Sequence, residues 1–107
     1  MNQTTLSLVE LNRVLVCLYN HFSNEKEILR YRDIESGEAH NHLDDVMSKI
    51  CKILIYFFHD RSQMTSELAI ELVDFMDNLI KWNVKECDKH TIQLAQVELS
   101  RKIFILP

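Results

Sequence analysis

Apolar residues recur at steps of three and four along most of the chain. Leu8, Leu11, Leu15, Leu18, Phe22 and Leu29 form one such seam, the spacing that keeps side chains on one face of a 3.6-residue helix. It predicts a first helix from about Ser7 to Tyr31, opened by Ser7 and Glu10 at capping-box spacing. Glu25 falls where the repeat asks for another hydrophobe, one turn after His21. A carboxylate inside a core is costly unless it is paired, hydrogen-bonded or metal-bound. The pattern therefore predicts a partner opposite Glu25.

The same steps return from about Ala39 to Phe58. His40, Asp44, Met47, Cys51, Leu54 and Phe58 share one face of this second helix, and Leu43, Val46, Ile50, Ile53 and Phe57 widen it. Between the two helices, Asp33 to Glu38 holds the only glycine, Gly37, and reads as a connection. His59 to Thr65 is a polar loop, with Thr65 or Ser66 placed to cap a third helix. The stripe of that helix is Leu68, Leu72, Phe75, Met76, Leu79, Asn83 and Cys87. The pattern continues through Ile92, Leu94, Ala95, Val97 and Leu99, either as one long helix or with a break near Lys89–Thr91. The apolar run Ile103-Phe104-Ile105-Leu106 is suited to docking on the bundle or on a partner.

Composition narrows the fold. One Gly and one Pro in 107 residues are too few for sheets joined by tight turns. The expected fold is all-α: a single domain over residues 1–107, an up-down helical bundle of three long helices plus a C-terminal helical segment. A net charge of −4 with no basic cluster argues against nucleic acid as a partner. The apolar stretch Ile50–Phe58 is too short to span a membrane and is interrupted by Lys52. Residues 1–10 lack a charged start and a long apolar run, so no signal peptide and a cytoplasmic location are expected. Cys17, Cys51 and Cys87 lie far apart with no Cys-x-x-Cys. They read as free, buried thiols in a reducing compartment.

Polar residues interrupt each stripe: His21 and Glu25 on the first helix, His40 and Asp44 on the second, Asn83 and Asp88 on the third. A spacing of four puts two side chains on one helical face, about 6 Å apart. Bundles hold metal pairs through histidines and carboxylates projecting inward from facing helices, and such ligands suit iron, manganese or zinc. Each residue also has a plainer role. His21 and His40 read as helix-end or partly exposed histidines, and Asp44 as a complement to a helix dipole. Glu25 reads as the rim partner of Arg30, Arg32 or a lysine.

Taken together, these positions resemble the hemerythrin-like family of oxygen-binding and sensing four-helix bundles. His21-Phe22-Ser23-Asn24-Glu25 matches the family's His-Phe-x-x-Glu. His40 stands nineteen residues after His21, where the family places another histidine, and Asp44 occupies the next ligand position four residues later. The aromatic-rich segment from Phe75 to Lys89 looks like the family's last helix, with Asn83 in the histidine's place and Asp88 matching the aspartate. The resemblance covers roughly residues 8 to 90. It implies that His21 binds one iron and His40 the other, that Glu25 and Asp88 bridge them, and that Asp44 adds an oxygen ligand. The family's first helix has no counterpart here, and Asp44 and Asn83 replace two histidines, so the implied di-iron site is incomplete.

Three main helices leave a four-helix core half open, and an apolar groove of that size demands cover. Either the tail from Thr91 to Leu106 folds back, bringing His90 to the bundle's end, or two chains pair. The first functional expectation is a divergent hemerythrin-like bundle that binds a metal, with iron implied, or once did, in sensing or regulation. The alternative is a non-enzymatic helical adaptor, chaperone or inhibitor acting through a protein partner or as a homodimer. An enzyme is not expected. There is no Ser-His-Asp order, Gly-rich phosphate loop or His-Glu-x-x-His, and Arg30 or Arg32 with His40 is too loosely spaced for a ribonuclease pair.

Overall fold

The structure is a computed structural model that describes residues 5–31 and 37–103. Four α-helices carry the chain: α1 (Leu8–Tyr31), α2 (Gly37–Phe58), α3 (Ser66–Lys81) and α4 (Lys89–Ile103), with a short 3₁₀ turn at Arg61–Gln63. Arg32, four of the residues read as a connection (33–36) and the apolar run 104–106 lie outside the described residues. Gly37 belongs to α2 as its first residue.

Local chemistry sets the helix starts. The Ser7 hydroxyl accepts from the Glu10 N–H at 3.3 Å, which is half of the predicted capping box. The Glu10 carboxylate turns instead to Arg13, at 2.8 Å, and that guanidinium holds it below the usual carboxylate range. Thr65 caps α3, accepting from the Leu68 N–H at 3.1 Å. The Ser66 hydroxyl donates to the Lys102 carbonyl at 3.2 Å and so satisfies one of the open groups at the end of α4.

Asp60 caps the 3₁₀ turn. Its side chain accepts from the Ser62 hydroxyl, the Ser62 N–H and the Gln63 amide. These bonds, the Ser62 hydroxyl first, depress its pKa below the ordinary 3.8. A depressed aspartate contributes fully above its unfolded value and loses that contribution as pH falls through the lower folded one. Asp60→Ala should therefore lower the thermal midpoint at neutral pH, with the difference closing in melts taken below the ordinary aspartate range. A difference that does not change with pH would contradict this account.

The third stripe does not continue as one helix. α3 ends at Lys81, and Asn83 takes a left-handed backbone with φ 56°. Its N–H donates to the Ile80 carbonyl at 3.2 Å, one of the two bonds of a Schellman-type helix end. Asparagine tolerates this conformation better than other residues with a side chain. The break thus falls at residues 82–88 rather than near Lys89–Thr91, and Asn83 lies beyond the helix. Asn83→Val should cost about 1–2 kcal/mol in urea unfolding, and Asn83→Gly should be neutral or stabilising.

After the turn, α4 folds back. α1 packs on α2, α2 on α3, α3 on α4 and α4 on α1, which is the square of an up-down four-helix bundle. The expected half-open core is closed by α4 itself. One buried cluster fills the middle: Leu11, Leu15 and Leu18 from α1, Ile50 and Ile53 from α2, Leu72, Met76 and Leu79 from α3, Ile92 and Leu99 from α4, with others around them. Cys87 is buried within it, Cys17 and Cys51 are half-buried, and all three thiols are free. The buried arc of α2 is centred on Leu43, Val46, Ile50, Ile53 and Phe57. The face holding His40, Asp44 and Phe58 is its edge, not its centre, and Asp44 and Phe58 are exposed.

The helices differ in length. At about 1.5 Å per residue, α1 and α2 outrun α3 and α4 by roughly two turns. Trp82, at the end of α3, meets Phe22 and His42 with ring centroids at 6.3 and 5.7 Å. The excess therefore projects at one end, as α1 beyond Phe22 and α2 before His42. No helix among the described residues is long and apolar enough to cross a membrane.

Candidate functional site: the polar rim at the open end

His21 lies on α1 just before the overhang. Its Nε2 is 3.0 Å from Glu25 Oε1 and its Nδ1 is 3.3 Å from Glu86 Oε2. The ring also packs edge-on against Phe22, with centroids 5.0 Å apart. Glu25 reaches His21 because they are one turn apart. Glu86 reaches it because the reversal at Asn83 returns residues 84–88 toward α1.

The expected burial of Glu25 is not found. Its side chain is 48% exposed, because the seam passes at that point beyond the ends of α3 and α4. Among the described residues, α2 is the only other helix that borders it there, across the groove lined by His42 and Leu43. Its ion pair is with His21, not with Arg30, which pairs with Glu27.

The other implied ligands have separate occupations. Asp44 is exposed on α2 and pairs with Lys26 of α1. Asp88 caps α4: its carboxylate accepts from the Thr91 N–H at 3.4 Å, and its carbonyl accepts from the Ile92 N–H at 3.1 Å. His40 stands half-buried in the first turn of α2. Of the five, the structure brings together His21 and Glu25 alone. Among the described residues, no three His, Cys, Asp or Glu side chains are grouped so that they could hold a metal ion. The geometry around His21 explains part of this. Glu25 and Glu86 approach opposite nitrogens of one ring, so their oxygens diverge from any common point beside it.

Two surface features flank this cluster. An apolar groove of about 300 Å³ lies between α1 and α2, lined by Glu25, Ile28, Leu29, His42 and Leu43. A second, of about 350 Å³, follows α1 past Cys17, Asn20, His21, Asn24, Glu25 and Ile28 to Glu86. They share Glu25 and Ile28. Ile28 is 51% and Trp82 42% exposed. Glu86, Trp82 and His42 were not foreseen as site residues. The one signal for them in the sequence is Asn83, a residue suited to a left-handed helix end.

Comparison with protein-family models, with curated proteins and with solved structures finds no match to this chain.

Proposed function

We propose that this protein is a non-enzymatic helical interaction module that binds a protein partner at the open end of its bundle. The observation that carries this reading is the groove beside Ile28, Leu29 and Leu43, with Ile28 half-exposed at its lip and Trp82 half-exposed nearby. Large apolar side chains gathered at one end of a small domain mark a binding surface, and tryptophan is enriched among residues that anchor interfaces. Within this reading, the hemerythrin-like His21-Phe22-x-x-Glu25 run serves as a polar rim and not as half of a di-iron centre. Both ring nitrogens of His21 already face carboxylates.

A photo-crosslinking residue placed at Ile28 tests this in the protein's native cells. A discrete adduct is expected there, none is expected from Asp74 on the exposed side of α3, and Trp82→Ala should abolish the adduct at Ile28. Absence of an adduct at both positions would remove the proposal. So would near-stoichiometric iron, with oxo-bridge absorption lost on His21→Ala, in protein purified without chelator.

A further inference from the structure

We infer that the α1 stripe running from Cys17 to Ile28 is the seat of a basic, amphipathic helix from a partner protein. This inference rests on the interaction reading above and names its partner class.

Cys17, Asn20, His21, Asn24 and Ile28 recur at steps of three, one, three and four. This is one continuous face of α1. Lower on α1, the neighbouring place is taken by α4, which packs against it. α4 begins only at Lys89, and its cap Asp88 lies close enough to Arg13 and Glu10 to act on both charges. Above that level, among the described residues, no helix continues α4 beside α1, and the turn that carries Glu86 borders the stripe. The stripe from Cys17 to Ile28 rises about 16 Å, or three helical turns. A helix of that length laid there would extend the line of α4.

Charge selects the occupant. Every arginine and lysine on α1 is already paired: Arg13 with Glu10, Lys26 with Asp44, Arg30 with Glu27. Among the described residues, Glu25 and Glu86 have ion pairs only with His21. Of the side chains that line the stripe, the carboxylates are Glu25 and Glu86, 48% and 37% exposed, with His21 between them, and no lysine or arginine is in that lining. The floor between them offers the Cys17 side and the half-exposed Ile28. The complementary helix carries Lys or Arg toward the two glutamates and an apolar residue toward Ile28. Opposed potentials of this kind set orientation and exclude wrong partners. A second copy of this chain is a poor occupant. A two-fold pairing apposes the same patch on both subunits and would bring the glutamates of one toward those of the other.

The test uses the full chain and a fluorescent leucine–lysine peptide of about four helical turns, followed by anisotropy. Saturable binding that weakens with added salt is expected. The double reversal Glu25→Lys/Glu86→Lys should weaken it about tenfold or more, and so should Ile28→Asp, while Asp74→Lys changes it by less than about twofold. Circular dichroism confirms that each variant is folded. Equal losses from Asp74→Lys would overturn the inference, because binding would then follow net charge and not this stripe. Failure to bind, with the Ile28 crosslink intact, would overturn it and leave the interaction module standing. A dimer in light scattering that the double reversal strengthens would assign the stripe to a second copy and overturn it as well.

Discussion

Replacing Ile92 by aspartate is expected to leave the protein unfolded at room temperature. The milder Ile92→Val and Ile92→Ala changes should cost about 1 and about 3–4 kcal/mol. Ile92 is fully buried, one turn into α4, and α4 contributes few other anchors. Thr91, Ile92, Ala95 and Leu99 are its buried residues, and of these only Ile92 and Leu99 are large. Among the described residues, the fully buried part of this fourth side thus rests on two large side chains. A carboxylate at position 92 adds to the lost packing the cost of a charge placed inside the buried hydrophobic cluster to which Ile92 belongs. Domains of this size are stable by about 5–15 kcal/mol, so the combined loss exceeds the lower part of that range. Urea unfolding of the three variants checks the gradient. If Ile92→Asp melts cooperatively near the wild-type midpoint, α4 does not close the core.

The sequence showed this architecture unevenly, for physical reasons. α1 and the start of α3 were legible because seam and cap agree there: Ser7 and Thr65 both accept the backbone bonds their positions predict. The helical content of α2 was legible, but the centre of its buried face was not. Its apolar arc is wide, and two stripes with identical spacing compete for the core. Leu43, Val46, Ile50, Ile53 and Phe57 win it, and Asp44 goes to the rim beside Lys26. The end of α3 was hidden by a coincidence of spacing. Leu79, Asn83 and Cys87 continue a step of four, yet Asn83 sits in a left-handed turn. Cys87 is buried after the chain has reversed, following a turn closed by its own N–H to the Val84 carbonyl at 3.0 Å. Periodicity records which residues are apolar and not whether the backbone between them is continuous. The candidate site suffered for the same reason. The one ligand expected from the third helix, Asp88, is lost to the set once that helix ends at Lys81 and Asp88 becomes the cap of α4.

The contrast between Phe22 and Glu25 gives the second large effect. Phe22→Ala is expected to cost about 3–5 kcal/mol, whereas Glu25→Ala, one turn further along the same seam, should change stability by less than about 0.5 kcal/mol. Phe22 is 5% exposed and holds the end of the bundle together, meeting His21 edge-on at 5.0 Å and Trp82 at 6.3 Å. Its truncation opens a void that Trp82, tied to Phe75 and His42 as well, cannot fill without leaving those contacts. Glu25 loses one ion pair at a solvated site, and exposed pairs are worth little. For a domain of about 100 residues, each kcal/mol moves the melting midpoint by roughly 4–8 °C, so Phe22→Ala should melt well over ten degrees lower and Glu25→Ala within a few degrees of wild type. A large loss from Glu25→Ala would place that carboxylate inside a buried polar network and return the seam to the enclosed arrangement its spacing first suggests. Near-equality of the two variants at wild-type stability would instead mean that the Trp82 end of the bundle is not packed as described.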